Sequence, residues 1–257
     1  MTSCSFPNKT IRTARDISVF EINSDSVMVV GCDSAGGIGP KPLDKVKVSG
    51  YTLGRFTARV ALMEVLAVGA TPVCLTNTLG VEPDPTGFEI LEGIKSEIQL
   101  AGLEGSLAVI GSMEKTVAVE QTGIGITVVG LAPKNNLKIG LSKPDDLIVA
   151  VGCPSVKDEV LPAEERGEIA DLTDLLKLMG CSFVHDVIPV GSQGMLHEVN
   201  VLSEDAGLRA KLKSPEAVTK KSAGPATTVL VTVPKNALNE LSGLINKPIH
   251  VIGSFYR

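Results

Sequence analysis

The alternation of apolar and polar positions divides the chain into short β-rich runs and longer helical stretches. Residues 17–22 and 26–32 are β-rich runs split by the turn-forming Asn23-Ser24-Asp25. A loop rich in glycine and proline, 33–49, follows. Residues 51–68 read as a buried helix closed by Gly69, and 72–79 as a strand. Thr86 opens the next helix, with Glu89 three residues on as a capping box. Its apolar residues Ile90, Leu91, Ile94 and Ile98 fall at helical spacing, and Gly102 ends it. Residues 106–111 and 122–131 are further strands, which makes a β-β-α-β-α-β-β half.

The segment 132–146 carries prolines, lysines and asparagines and reads as the connection between two domains, 1–133 and 134–257. A strand at 147–152 opens the second. Helical material from 156 to 179 is broken near Pro162 and Gly167 and stopped by Gly180. A helix runs from about Gly194 to Ala206. The polar stretch 211–223, with the basic pair Lys220 and Lys221, reads as an exposed loop. Strands at 227–233 and 249–252 flank a short helix at 235–244. No internal repeat or low-complexity segment is visible.

Composition narrows the fold class. Hydrophobic residues make up 44% of the 257 but aromatics only 3%, with no tryptophan. The core must come from Val, Ile, Leu and Ala, which suits sheets covered by helices, a mixed α/β protein. With 24 basic and 29 acidic residues no basic stripe emerges, so no nucleic-acid partner is expected. No apolar run reaches ~18 residues and residues 1–15 hold no apolar signal core, so neither a membrane span nor secretion is expected. The five cysteines are widely spaced without a Cys-x-x-Cys pair, which argues against a disulfide framework or zinc site and for a reducing cytoplasm. Cys32, Cys74 and Cys153 read as small core residues. Cys181, after Gly180, is expected to be partly exposed, and Cys4 to sit in a loose tail.

Four features could carry chemistry. In Gly31-Cys32-Asp33-Ser34-Ala35-Gly36-Gly37-Ile38-Gly39 a β-run ends in an acid and a Gly-rich loop. Glycines let backbone N–H groups approach an anion, and an acid at a strand end can hold a magnesium ion bridging phosphates. The stretch also fits an ordinary strand-to-loop connection, and no Gly-Lys-Ser/Thr follows to make a P-loop. Glu64 interrupts the apolar helix. At ~100° per residue it lies ~140° from Arg59, so it needs another partner, a metal or solvent. Asn77 and Gly111-Ser112-Met113-Glu114 are further polar groups at β-run ends, where α/β sites gather; each also fits a turn. His185-Asp186, ahead of Gly191-Ser192-Gln193-Gly194, suggests acid–base work, but no Gly-x-Ser-x-Gly elbow supports a hydrolase. His197 and His250 read as structural, on an exposed helix position and in a strand.

These residues resemble the aminoimidazole-ribonucleotide synthetase-like (PurM-like) superfamily across nearly the whole chain. The most specific match is Met63-Glu64-Val65-Leu66-Ala67-Val68-Gly69-Ala70-Thr71-Pro72. The resemblance implies a two-lobed fold: an N-terminal half that pairs with a second copy in a dimeric β-barrel, and a C-terminal α/β lobe. It implies ATP and Mg2+, with Asp33, Asp44, Glu64 and Asn77 around the metal. Gly36, Gly37, Gly39, Lys41 and Ser112 would lie near the phosphates, and Glu114 or Asp186 would orient the acceptor. Glu64 replaces the usual Asp, Asn77 stands where relatives often have Asp, and Gly111-Ser112 lacks a second glycine. The strings Cys32–Lys41, Thr57–Ala70 and Gln121–Gly125 are similar to the α-ribazole kinase group, which implies phosphorylation of the α-ribazole 5′-hydroxyl. Two alternatives remain: another ATP-dependent synthetase or dehydratase-type reaction through a phosphorylated carbonyl oxygen, or a non-catalytic nucleotide-binding regulator.

Overall fold

Two sheets organise the chain, one in each half. In the computed structural model, which describes residues 10–257, the first sheet is built from β1 (Thr10–Ala14), β2 (Ile17–Glu21), β3 (Ser26–Gly36), β6 (Thr71–Leu79), β7 (Ala108–Met113) and β8 (Gly123–Pro133). A two-stranded parallel ribbon, β4 (Ile38–Gly39) and β5 (Val46–Lys47), leads into α1 (Gly50–Ala67). The strand order is β1-β2-β3-β8-β6-β7, antiparallel except for β6 against β7. Period-2 alternation turns Val27, Val29, Ile126 and Val128 towards α1 and α2 (Phe88–Leu100), which cover one face.

The second half contains β9 (Leu147–Val151), α3 (Val160–Glu165), α4 (Leu172–Met179), β10 (Val187–Pro189), α5 (Met195–Ala206), β11 (Arg209–Leu212), α6 (Glu216–Thr219), β12 (Val229–Val233), α7 (Leu238–Leu244) and β13 (Ile249–Tyr256). Its sheet, β10-β12-β9-β13-β11, is antiparallel throughout. Every residue of β9 and β12 is buried, because both faces are covered. Val149, Val151, Val229 and Val231 face α4 and α7 and join one core continuous with that of the first half. On the other face Ile148, Ala150 and Leu230 pack against Met195, Val199 and Leu202 of α5. The shared core fixes how the two halves meet.

Several sequence expectations need correction. The chain does not leave the sheet at Asp33: β3 runs on to Gly36 because its ladder with β8 continues to Gly36 opposite Gly123. Cys32 is exposed on the outward face of β3, and Cys74 and Cys153 are half-buried rather than core; the four described cysteines are free, and Cys4 lies outside the described residues. Cys181 is partly exposed, as expected. The second helix begins at Phe88 after a turn at 83–87, and Glu89 caps Gly50 N of α1 at 3.1 Å instead of its own helix. Pro162 is tolerated in the first turn of α3, and the break falls at Gly167. β8 lies inside the sheet, between β3 and β6. The segment 211–223 contains the end of β11 and α6, and β1 and β10 went unread. Among the described residues no helix is long and apolar enough to cross a membrane.

The α1–α2 contact depends on two glycines. A Cβ on Gly54 would stand 2.1 Å from Ile90 O, and one on Gly93 2.1 Å from Tyr51 O. Gly54→Ala is therefore expected to lower stability by about 1–3 kcal/mol through overpacking. Urea denaturation checks this: the midpoint should fall at constant slope.

Candidate functional site

A cavity of about 660 Å3 opens where the two halves meet. The first half contributes the end of β3, the β4–β5 ribbon and one stripe of α1: Thr52, Leu53, Phe56, Thr57, Val60 and Glu64. These positions recur every three to four residues and so share a helix face. The second half contributes the loop before α3, the loop Val190–Ser192 before α5, and the segment 222–226.

Three carboxylates line it: Asp16, Asp33 and Glu64. Asp16 lies in the turn just before β2, next to Arg15. The Arg15 guanidinium is buried and donates to Asp186 Oδ1 (2.9 Å), Asp205 Oδ2 (3.1 Å) and Val187 O (2.8 Å), pinning the β1–β2 turn to the second half. Asp33 and Glu64 are neighbours because Gly31 lets α1 lie against β3: a Cβ there would meet Glu64 Cβ at 3.2 Å and Val65 Cγ2 at 3.1 Å. Glu64 is 6% exposed and accepts no hydrogen bond from any described residue.

The electrostatics follow from burial. Desolvation pushes the Asp33 carboxyl up to about 6, offset in part by the Ser34 N–H and reinforced by Asp16. Burial, then the charges of Asp16 and Glu198, push Glu64 well above the usual carboxylate range. Glu198, in the first turn of α5, is raised to about 7 by burial and accepts from Gly191 N at 3.4 Å. Arg15 opposes these shifts at Glu64 and Glu198 without contacting either. The result is an acid-rich floor that favours protons or a cation.

The other sequence candidates lie elsewhere. Asp44 accepts from Lys41 N (2.8 Å), Thr122 N (2.8 Å) and Thr122 Oγ1 (2.6 Å), which spends it on holding the ribbon. Gly39 is glycine because Asp44 and Thr122 crowd its Cα, and neither Gly36, Gly37 nor Gly39 lines the cavity. Lys41 is paired with Glu82. Asn77 shares a register row with Asp33 through Ile126, two strands or about 10 Å away. It donates to Ile110 O at 3.1 Å, and its Oδ1 is buried without a partner against Gly111. Ser112 is exposed on β7. Glu114 closes a turn on Thr116 and Val117, whose donors lower it to about 2. Asp186 is fully buried and accepts from Arg15, Gly140 N, and Ser142 N and Oγ, while His185 pairs with Asp146 at 2.6 Å. Asp186 is thus an inter-half strut and does not line the cavity. Of the expected residues, only Asp33 and Glu64 meet in the cavity. Asp16 and Glu198 were missed; the signal available was an acid beside a β-run start and an acid in a helix first turn.

Among the described residues no three His, Cys, Asp or Glu side chains form a ready metal cage. The donor set still suits magnesium. That ion is usually held by one or two carboxylates together with water and substrate phosphates, and Glu64 is a buried acid that accepts no hydrogen bond from any described residue.

Residues 14–132 match the family model described as AIR synthase related protein, N-terminal domain. Solved structures extend the likeness to a PurM-like fold over both halves. The thiamine monophosphate kinase of Aquifex aeolicus superposes with a TM-score of 0.66 at 14% identity, over 94% of this chain and 89% of that one. A chain of the HypE–HypF complex gives 0.68 at 17% identity, over 98% and 90%. T. maritima PurL complexed with ADP gives 0.65 at 17% identity, over 95% of this chain but 42% of that longer one. No curated protein sequence matches the chain. Among the described residues the sheet of the first half is a six-stranded one in the order β1-β2-β3-β8-β6-β7.

Proposed function

We propose that the cavity between the halves is the site of an ATP-dependent phosphotransferase, and that its acceptor is α-ribazole, converted to α-ribazole 5′-phosphate. The observation that carries this reading is the pair Asp33–Glu64: two carboxylates with raised proton affinity lining a ligand-sized cavity, the buried Glu64 accepting no hydrogen bond from any described residue. The nucleotide is supported by fold neighbours described as complexed with AMPPCP and TMP, and with ADP. The acceptor is supported by the sequence likeness around Cys32–Lys41 and Thr57–Ala70.

In this reading Asp33 and Glu64 would hold magnesium, with Asp16 also lining the cavity. The ion would neutralise charge on the phosphates. The acceptor hydroxyl attacks the γ-phosphorus in line, the bond to the bridging oxygen breaks, ADP leaves and the hydroxyl proton passes to a carboxylate of the floor. The chain's part is positioning and exclusion of water. Neither Glu114 nor Asp186 takes part, because neither lines the cavity. A homodimer through the first sheet is supported by its uncovered face, where Ile110 and Leu131 are 62% and 42% exposed.

A second reading keeps the nucleotide but transfers phosphate to a carbonyl oxygen, as the comparable likeness to HypE and PurL chains allows. Product analysis separates them. Incubation with ATP, Mg2+ and α-ribazole should yield ADP and α-ribazole 5′-phosphate by mass spectrometry. Absence of the phosphorylated riboside would remove the α-ribazole assignment.

A further inference from the structure

Three carboxylates line the cavity, Asp16, Asp33 and Glu64, and among the described residues its only basic lining side chain is Lys157. Lys157 is exposed, in the loop before α3, and its ammonium makes no hydrogen bond or ion pair with any described residue. The nearby lysines are spent: Lys221 pairs with Glu159 at 2.7 Å, and Lys220 with Glu216. The backbone at Lys157 is held in a costly shape. Its φ is 52°, in the left-handed region that residues with a side chain disfavour, and Ala226, which lines the cavity from the segment 222–226, has the same φ. Hydrogen bonds clasp these two segments together. Thr227 Oγ1 accepts from Ser155 N at 3.0 Å and lies 3.2 Å from Ser155 O. Glu159 Oε2 accepts from Val156 N at 3.2 Å while it pairs with Lys221. Glycine at 157 would relieve the strain, yet a lysine stands there. Strain of this kind gathers at ligand clamps.

We propose that Lys157 is the phosphate clamp of the second half, its ammonium pairing with the γ-phosphate of a nucleotide bound in the cavity. The inference rests on the phosphotransferase reading for the nucleotide. A magnesium ion on the Asp33–Glu64 floor would leave the phosphate chain with net negative charge, which the acid lining repels. A cation from the other half offsets that repulsion. The γ-phosphate needs it most, because charge spreads over its outer oxygens as the phosphoryl group moves. A lysine suits the task as a compact point charge on a flexible stem, and the fixed backbone beneath it limits where that stem starts.

Calorimetry on the full chain with AMPPCP and with ADP, each with Mg2+, tests the clamp apart from turnover. Lys157→Gln should weaken AMPPCP by about tenfold or more but ADP by under about threefold, since ADP lacks the γ-phosphate. Lys157→Arg keeps the charge and should bind AMPPCP within about threefold of wild type. Lys157→Gly should weaken AMPPCP as Lys157→Gln does, yet melt no lower than wild type, because glycine takes the positive φ freely. A structural role alone would not split the two nucleotides or be rescued by arginine. The proposal is overturned if Lys157→Gln binds AMPPCP as wild type does, if it loses AMPPCP and ADP equally, if Lys157→Arg binds no better than Lys157→Gln, or if Lys157→Gly melts below wild type. Wild-type protein that binds neither nucleotide would sink the phosphotransferase reading and the clamp with it. Unchanged AMPPCP binding by Lys157→Gln would sink the clamp alone, so the two failures are distinct.

Discussion

Glu64→Gln is expected to cut turnover by about 100-fold or more while making the protein more stable at neutral pH. The two effects share one cause. Glu64 is 6% exposed and accepts no hydrogen bond from any described residue, so its charged form is costly unless a cation pairs with it. Its pKa is raised above the ordinary 4.5, so the folded state binds more protons than the unfolded one above that value. Stability from this group is complete at low pH and is lost as pH climbs from about 4.5 towards the folded value. Asp33, raised from 3.8 to about 6, and Glu198, raised from 4.5 to about 7, act in the same direction. The metal-free protein should therefore lose melting temperature between about pH 4 and pH 7, and Mg2+ with an ATP analogue should restore part of it. Glutamine removes the Glu64 share. A pH series of thermal melts on both proteins checks this. A variant less stable than wild type at about pH 8 would show that Glu64 has a protein partner after all.

Arg59→Met is expected to cost roughly 3–5 kcal/mol, the loss seen when one partner of a buried ion pair is removed. Arg59 and Glu97 side chains are each 1% exposed. The guanidinium grips Glu97 through Nη2 to Oε1 (2.8 Å) and Nε to Oε2 (3.3 Å), and reaches Glu164 at 3.2 Å. Its Nη1 has no hydrogen-bond partner and lies in the stack over Phe56. Without Arg59, Glu97 keeps only the half-exposed Arg55 at 3.3 Å, and α3 loses one of its ties to α1. The small cluster of Phe56, Val160, Ala163 and Ile169 then loosens, and the cavity wall with it. Arg59→Met combined with Glu97→Met should recover most of the loss, because apolar groups of similar volume need no partner. Urea denaturation of single and double variants measures both; a single-variant cost under about 1 kcal/mol would refute the burial argument.

The sequence made the helix and strand order of the first half legible because its elements are long and periodic. α1, α2, β6 and β8 lie within a few residues of where their patterns put them. It hid β10, which has three residues, and β11, whose exposed Arg209 and Lys211 are the charges an edge strand carries against mispairing and which mimic a loop. For the site, Asp33 and Glu64 were visible as acids in apolar contexts. The angle from Arg59 did not say which side of α1 faces the core, and that needed Gly31 and the sheet. Asp44 and Asp186 look like active-site acids in sequence, yet each is spent on backbone and hydroxyl donors that tie segments together. Sequence cannot tell a structural carboxylate from a free one, since the difference lies in donors brought from far along the chain. Asp16 escaped because its placement depends on Arg15 reaching Asp186 and Asp205 across the halves.

The most direct test of the account follows the γ-phosphate of ATP by phosphorus NMR, with Mg2+ and α-ribazole present. A phosphomonoester resonance should grow in step with ADP in the wild type and be absent in Asp33→Asn and Glu64→Gln, both still folded. Orthophosphate as the sole new product, or undiminished phosphomonoester formation by the Glu64→Gln protein, would contradict it.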